Sequence, residues 1–224
     1  MKLLVLSDMH GERAAVRKAK ELVLKNRYDA IVYLGDFSQK IGDAERNIAD
    51  AEHFISELEP LTKVYALFGN CDVREVEKLL EGRGVLLHNK VIMMGGTAIV
   101  GWGGSHPTPF NTPSEFKEDE IGESVERLLS DAKKKGAKRI ILLTHEPPKG
   151  TNADLIHVGH VGSEALRKII EKHQPEIHAC GHIHEAKSED LVGKTKVINV
   201  GQAKHGHFLE VIIEDEITAR GISL

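Results

Sequence analysis

The sequence LLVLSDMH at residues 3–10 joins an apolar run of strand type to a pair of polar residues. Asp8 and His10 lie two residues apart, so in an extended chain their side chains project from the same face and reach one centre. Carboxylate and imidazole are both metal-ligand groups. The stretch therefore predicts a β-strand with a metal-binding pair at its carboxyl end.

The same arrangement recurs at four further places, each with metal-ligand residues behind an apolar run. The segments are AIVYLGD at 30–36, VYALFGNCD at 64–72, RIILLTH at 139–145 and EIHACGHIH at 176–184. In open α/β sheets, ligands gather beyond the carboxyl ends of the strands, so residues that are distant in sequence meet at one edge. We therefore expect one site built from Asp8, His10, Asp36, Asn70, His145, His182 and His184.

The composition of this set indicates two metal ions rather than one. If Asp36 bridges the ions, seven side chains supply eight bonds, four to each ion, and leave positions for water and a substrate oxygen. The set offers imidazole, carboxylate and amide oxygen but no thiolate, which suits Mn²⁺, Fe, Zn²⁺, Co²⁺ or Ni²⁺. We favour Mn²⁺, but selection in cells also depends on metal supply, so the residues alone leave the metal open.

A structural role is the alternative to metal ligation for each of these residues. A single carboxylate behind a strand, such as Asp8 or Asp36, is more often a turn former or a helix cap than a metal ligand. However, carboxylates and imidazoles at strand ends are costly unless paired or metal-bound, and no comparable group of Lys or Arg accompanies them in the motifs. The co-occurrence of the clusters therefore favours metal ligation.

Apolar spacing along the chain predicts an α/β fold. Strands are predicted near 2–7, 30–34, 63–68, 97–101, 139–144, 177–180, 196–200 and 208–213, with weaker strands near 85–87 and 91–94. Helices are predicted near 11–26, 43–58, 73–81, 114–135 and 162–173. The early β-α-β-α-β order predicts a parallel core with right-handed crossovers, and the short turns between later strands predict a mixed or antiparallel region.

Length and composition predict a single domain of residues 1–224, because no linker, repeat or low-complexity tract divides the chain. The net charge of −4 argues against generic nucleic-acid binding. No apolar run approaches the ~18 residues that span a membrane. With two cysteines, no disulfide framework is indicated, and a cytoplasmic location is expected. Composition does not decide between a monomer and a homo-oligomer.

At its motifs the chain resembles the calcineurin-like metallophosphoesterase family. The likeness consists of D-x-H at 8–10, G-D at 35–36, G-N-x-D at 69–72, a strand-end His at 145 and G-H-x-H at 181–184, in the family's order. The segments THEPPKGTNAD, GHVGSEALRKIIE, CGHIHE and VINVGQ are similar to the bacterial and archaeal branch related to the cyclic-nucleotide phosphodiesterase Icc. The resemblance spans most of the chain.

The resemblance implies a four-layer sandwich of two mixed β-sheets flanked by helices, with the metal site at the carboxyl ends of the strands. One metal would be held by Asp8, His10, Asp36 and His184, and the other by Asp36, Asn70, His145 and His182. A metal-bridging water or hydroxide would attack phosphorus in line with the leaving group. We assign a catalytic role to Asn70, Asp72, His145 and His160.

One departure from the family concerns Cys71, because many members carry a histidine directly after the motif Asn. That histidine is suited to protonating the leaving group, whereas a thiol with an ordinary pKa of ~8.5 is a poorer proton donor near neutrality. Either a good leaving group needs no acid, or another histidine serves; the candidates are His106, His160, His205 and His207.

We assign different roles to two of these candidates. His160 in HVGHVGS is expected to contact the phosphoryl group or the leaving oxygen. His106 lies in the Gly/Pro-rich loop at 101–113, a length of loop that is often functional, and is expected to line the pocket and affect substrate preference. For His205 and His207, a turn leading into a surface strand explains the residues about equally well.

The function expected from these residues is that of a dinuclear metal-dependent phosphodiesterase acting on a small phosphodiester, such as a cyclic nucleotide. One alternative is a phosphomonoesterase or pyrophosphatase that uses the same metals. Another is a non-catalytic scaffold of the same fold, in which the ligand set would be degraded. All seven positions here carry usable ligands, which favours an enzyme over a scaffold.

Overall fold

The chain folds into thirteen strands and five α-helices, and the computed structural model describes residues 1–224. The strands are β1 (Lys2–Leu6), β2 (Ala30–Tyr33), β3 (Lys63–Ala66), β4 (Lys90–Met94), β5 (Thr97–Trp102), β6 (Arg139–Thr144), β7 (Leu155–Ile156), β8 (Gly159–His160), β9 (Ile177–Cys180), β10 (Ser188–Val192), β11 (Thr195–Asn199), β12 (His207–Ile213) and β13 (Ile217–Ser223). The helices are α1 (Arg13–Asn26), α2 (Ala44–Leu58), α3 (Arg74–Gly82), α4 (Glu118–Lys134) and α5 (Glu164–His173).

The strands form two large mixed sheets and one small hairpin. The first sheet has the order β13-β12-β1-β2-β3, in which β1, β2 and β3 are parallel and β12 runs antiparallel to β1. The second has the order β10-β11-β9-β6-β5-β4, with four parallel strands inside and an antiparallel strand at each edge. The hairpin pairs β7 with β8. The predicted parallel core and mixed later region are both confirmed.

Alternation along the strands divides the apolar core between the inner and outer faces of the sheets. Leu3 and Val5 of β1 belong to a cluster drawn from the facing strands of both sheets. Leu4 and Leu6 belong to a second cluster that includes residues of all five helices. Successive strand residues point to opposite faces, so each sheet is covered by the other sheet on one side and by helices on the other. This arrangement confirms the four-layer sandwich.

Helix α4 shows how the apolar stripe and local hydrogen bonds fix a helix. Its predicted stripe, Ile121, Val125, Leu128, Leu129 and Ala132, is buried. The helix begins at Glu118 rather than near 114, because the preceding segment bonds elsewhere. The Ser114 N–H donates to the carbonyl of Asn70 at 3.0 Å, and the Phe116 N–H donates to Ser105 at 2.8 Å. This segment therefore packs against the loop that follows β3.

The elements that sequence patterns miss are two edge strands and the small hairpin. Strands β10 and β13 are partly exposed edge strands with polar residues between apolar ones, and the hairpin strands β7 and β8 have two residues each. The weak strand expected at 85–87 is reduced to one bridge between Leu86 and Ala66. None of the helices combines the length and apolar character needed to cross a membrane.

Candidate metal centre

The predicted ligands follow the carboxyl ends of strands from both sheets. Asp8 follows β1, Asp36 follows β2 and Asn70 follows β3, while His145 and His182 follow β6 and β9 of the second sheet. Parallel strands deliver these residues to one edge of the sandwich, as expected for open α/β sheets. The site therefore lies where the two sheets present their carboxyl ends together.

Several of these residues adopt a backbone conformation that is costly for a residue with a side chain. The φ angles of Asp8, His10, Asp36 and His182 are 55°, 48°, 63° and 67°. Such left-handed conformations cost about 1–3 kcal/mol each and cluster at functional sites. The strained turns aim four of the predicted ligands into the site.

One group of ligand atoms comes from Asp8, His10, Asp36 and His184, and these atoms all lie within 4.8 Å of one another. The Nε2 atoms of His10 and His184 are 3.0 Å apart. His184 Nε2 lies 3.4 Å from Asp8 Oδ1, and His10 Nε2 lies 3.9 Å from Asp36 Oδ2. Two imidazoles and two carboxylates thus converge on one point, which suits a divalent cation.

A second group surrounds the other oxygen of Asp36. His145 Nε2 lies 3.6 Å from Asp36 Oδ1 and 3.0 Å from Asn70 Oδ1. The rings of His145 and His182 are adjacent, with centroids 5.0 Å apart. Asp36 therefore stands between the two groups, with Oδ2 facing one and Oδ1 facing the other, as a bridging carboxylate requires.

Hydrogen bonds around the second group show that its donor atoms fit a cation. The Nδ1 atom of His145 donates to the carbonyl of Leu34 at 3.0 Å, so in the neutral ring Nε2 carries a lone pair. The Asn70 amide donates to Thr112, which turns its oxygen toward His145. Two acceptor atoms 3.0 Å apart repel each other unless a proton or a metal ion lies between them.

The donor atoms of the first group also fit a cation. Asp8 Oδ1 is buried and has no hydrogen-bond partner. The ion-pair partners of Asp8 and Asp36 are histidines, with no lysine or arginine among them. A buried carboxylate without such compensation is costly. The residues present therefore fit divalent metal ions at both groups.

The charges and burial at the site shift the pKa values of its groups in different directions. Burial alone raises the pKa of Asp8, but the adjacent ring of His184 and the charges of His145 and His10 outweigh it and hold that pKa well below its usual range. Burial lowers the pKa of His145, yet the charges of Asp36, Asp8 and Asp72 raise it above its usual value. Burial and His145 together depress the pKa of His182.

Asp72 is placed differently from our prediction. Its carboxylate is fully buried and accepts the N–H groups of Asp36 at 2.8 Å, Phe37 at 2.9 Å and Gly69 at 2.8 Å. Both oxygens are occupied by backbone donors, so they do not contact a substrate. We therefore correct its role from catalytic to positioning: Asp72 joins the loops that carry Asp36 and Asn70.

Two motif glycines are required by the close approach of these loops. A Cβ atom on Gly69 would lie 2.0 Å from Asp36 Oδ1. A Cβ atom on Gly181 would lie 2.1 Å from Ser7 Oγ and 2.3 Å from Asp8 Oδ2. Any side chain at either position would displace a predicted metal ligand, so both glycines belong to the site.

Two histidines at the rim are held by buried acids that sequence reasoning did not assign. His106 Nδ1 lies 2.6 Å from Glu146 Oε2, and His160 Nδ1 lies 2.8 Å from Asp154 Oδ1. Both acids are fully buried, and both lie in the segment THEPPKGTNAD, whose second residue is the predicted ligand His145. The sequence signal that could have identified Glu146 and Asp154 is the presence of two acidic residues shortly after a predicted ligand.

The remaining candidates for the missing acid lie outside the ligand cluster or are poorly suited to the role. His205 is exposed, and His207 Nδ1 lies 3.0 Å from Lys187 Nζ and 3.3 Å from Ser223 Oγ. The Cys71 N–H donates to Asp36 Oδ1 at 3.0 Å, and burial with the Asp36 charge raises the pKa of the Cys71 thiol. The thiol is therefore a weaker acid than an ordinary cysteine.

This fold and ligand geometry define a metallophosphoesterase centre. The chain belongs to the calcineurin-like phosphoesterase family, whose model matches residues 1–186. It is 36% identical over 205 residues to the uncharacterized protein MJ1162 of Methanocaldococcus jannaschii, covering 89% of this chain and 87% of that protein.

Solved structures show the same fold. A dimetal phosphatase from Danio rerio superimposes with a TM-score of 0.74 and 12% identity, covering 99% of this chain and 95% of that one. An archaeal phosphodiesterase superimposes with a TM-score of 0.56 and 17% identity, covering 100% of both chains. With its family and ligand cluster, the chain is a metal-dependent phosphoric ester hydrolase.

Proposed function

We propose that this chain is a dinuclear phosphodiesterase with two divalent ions joined by Asp36. The first ion would be held by Asp8, His10, Asp36 and His184, and the second by Asp36, Asn70, His145 and His182. The observation that carries this proposal is the position of Asp36, whose two oxygens lie 3.9 Å and 3.6 Å from histidines of different groups. We favour Mn²⁺ among the ions that this set of carboxylate, amide and imidazole donors suits, the others being Fe, Zn²⁺, Co²⁺ and Ni²⁺.

When bound, two such ions would neutralise phosphoryl oxygens and lower the pKa of the attacking water. The residues of the chain fix the positions of the ligand atoms. Hydrogen bonds from Nδ1 to the carbonyls of Ser38 and Leu34, at 3.3 Å and 3.0 Å, orient His10 and His145. Such outer bonds fix the ring and its tautomer. The ligands are thus preorganised, which is what phosphoryl transfer requires of a protein.

Charge at the site supports a diester substrate over a monoester. Cys71 occupies the place where many family members carry histidine, so no imidazolium directly follows Asn70 to balance the second negative charge of a monoester there. A diester carries one negative charge on its phosphate and needs less compensation. A phosphomonoesterase or pyrophosphatase on the same metals is the alternative.

We also propose that residues 1–224 form one domain. The ligands come from both sheets, and β12 near the end of the sequence pairs with β1 near its start. Neither sheet is complete without distant parts of the chain.

A substrate panel tests the proposed function. Protein reconstituted with Mn²⁺ would be assayed on cyclic nucleotides, dinucleotides, aryl diesters and the corresponding monoesters. We expect kcat/KM to be higher for diesters than for matched monoesters. A consistent preference for monoesters or pyrophosphate would overturn the diester assignment while leaving the metal centre intact.

Replacement of Cys71 with serine is expected to leave kcat nearly unchanged. The thiol is a weak acid, serine retains the backbone N–H that donates to Asp36 at 3.0 Å, and its hydroxyl replaces the thiol as a side-chain donor to Asp36. Steady-state kinetics with metal analysis of both proteins would check this. A large loss of activity with both ions still bound would assign the thiol a direct role.

Replacement of His160 with alanine is expected to lower kcat while leaving both ions bound. His160 is fixed by Asp154, and its hairpin packs against the segment His184–Ala186 that carries a predicted ligand. If His160 contacts the phosphoryl group, the loss should be similar for all leaving groups, the signature of an interaction made in the transition state. Unchanged kinetics would show that His160 has only a structural role.

A further inference from the structure

A histidine and a buried acid form a pair beside the metal centre that the proposed function does not use. Glu146 directly follows the predicted ligand His145 and is fully buried. Its Oε2 atom accepts both the backbone N–H of His106 at 3.0 Å and the ring Nδ1–H of His106 at 2.6 Å. Two bonds to one oxygen fix both the main chain and the ring of His106.

The loop of His106 is also anchored to the second group of ligands. The Ser114 N–H donates to the Asn70 carbonyl at 3.0 Å, and Thr112 Oγ1 accepts the Asn70 amide at 3.0 Å. His106 itself is bonded to Glu146, the residue that follows the predicted ligand His145. The loop therefore holds an imidazole between the segment that carries Asn70 and the segment that carries His145.

The free edge of the His106 ring is available to a substrate. Because Nδ1 is engaged by Glu146, Nε2 lies on the opposite side of the ring, and it makes no hydrogen bond within the chain. The side chain is 24% exposed, whereas Glu146 is not exposed at all. This is the geometry of an acid–imidazole pair in which the carboxylate orients the ring and the outer nitrogen of the imidazolium form carries a proton.

We propose that His106, oriented by Glu146, donates the proton to the leaving-group oxygen, a role that rests on the proposed phosphodiesterase function. The oxygen of a water molecule forms the new bond to phosphorus and releases a proton to solvent, while the ester P–O bond breaks and its electron pair passes to the leaving oxygen. That oxygen takes the proton from Nε2 of His106. The ring becomes neutral and regains a proton from solvent, so His106 does more than line the pocket.

The charges around His106 favour its protonated form. The hydrogen bond with Glu146 raises the pKa of His106, burial opposes the shift, and the carboxylates of Glu118 at the start of α4 and Glu115 in the same loop add to it. His182 is the neighbouring histidine on the ligand side, and its own pKa is depressed. Donors are most effective when their pKa lies near the working pH.

The test compares two diesters that differ only in the leaving group: thymidine 5′-(4-nitrophenyl phosphate) and thymidylyl-thymidine. His106→Asn is expected to lower kcat on the dinucleotide by about 100-fold, the lower bound of a general-acid contribution, with little change on the nitrophenyl ester. His160→Asn should lower both rates alike. His53→Asn, on α2 away from the site, serves as the surface control.

Glu146→Gln tests the positioning role through the pH profile. The dinucleotide rate should fall as pH rises through the pKa of His106, and removal of the carboxylate should move that falling limb to lower pH. Equal losses of His106→Asn on both substrates, or none, would overturn the proposal. If the wild type cleaved neither diester, the proposed function would fail instead, so the two failures are distinguishable.

Discussion

The Asp36→Ala variant should lose hydrolytic activity and bind both metal ions weakly. Asp36 alone contributes an oxygen to each group, with Oδ2 facing His10 and Oδ1 facing His145. Loss of a partner outside the coordination sphere already costs about 10–100-fold in metal affinity or activity. Removal of a bridging ligand should therefore reduce kcat/KM by more than about 100-fold. Calorimetric titration of the metal-free protein with Mn²⁺ would follow both binding events.

His10→Ala is the matched comparison, because His10 belongs to only one group. This variant should weaken mainly one binding event and leave the other near its wild-type affinity. If Asp36→Ala left either event unchanged, or if His10→Ala weakened both equally, Asp36 would not be the bridge between the ions.

The Asp72→Ala variant should be strongly destabilised, although Asp72 binds no metal. Its carboxylate accepts the N–H groups of Asp36, Phe37 and Gly69 in a fully buried environment. Each buried donor left unsatisfied costs about 1–3 kcal/mol, so three together should lower the free energy of unfolding by roughly 3 kcal/mol or more. Relief of repulsion between Asp72 and Asp36 offsets part of this loss. Urea unfolding of the metal-free protein would measure the difference.

Asp72→Asn retains one acceptor oxygen in the same volume and should show an intermediate loss. Asp131→Ala, which breaks an exposed pair with Lys134, should change stability by less than about 1 kcal/mol and serves as the control. A metal-free Asp72→Ala protein as stable as the wild type would show that the three backbone contacts contribute little.

The buried strands and the clustering of the candidate ligands were predictable because their signals are local. β1, β2, β6 and β9 are short apolar runs, each followed within about three residues by a predicted ligand, and the parallel order then brings these residues together. A buried strand must be apolar on both faces, so its sequence differs sharply from the loop that follows. That contrast is why the sequence predicts which strand ends carry the candidate ligands.

Edge strands and rim contacts were not predictable in the same way. β10 and β13 alternate weakly between apolar and polar residues because one side of each faces solvent. The bond from His106 to Glu146 joins residues 40 positions apart, and its existence depends on how a Gly- and Pro-rich loop folds over the strand ends. The Asp72 role was misassigned for a similar reason, since its backbone partners lie on two separate loops.

The metal content of the purified protein tests the central claim most directly. Protein stripped of metal, saturated with Mn²⁺ and freed of excess ion would be analysed for manganese per chain by elemental analysis. The ligand geometry, with Asp36 shared between two groups, predicts two ions per chain at saturation. One ion or none at saturation would contradict the dinuclear centre.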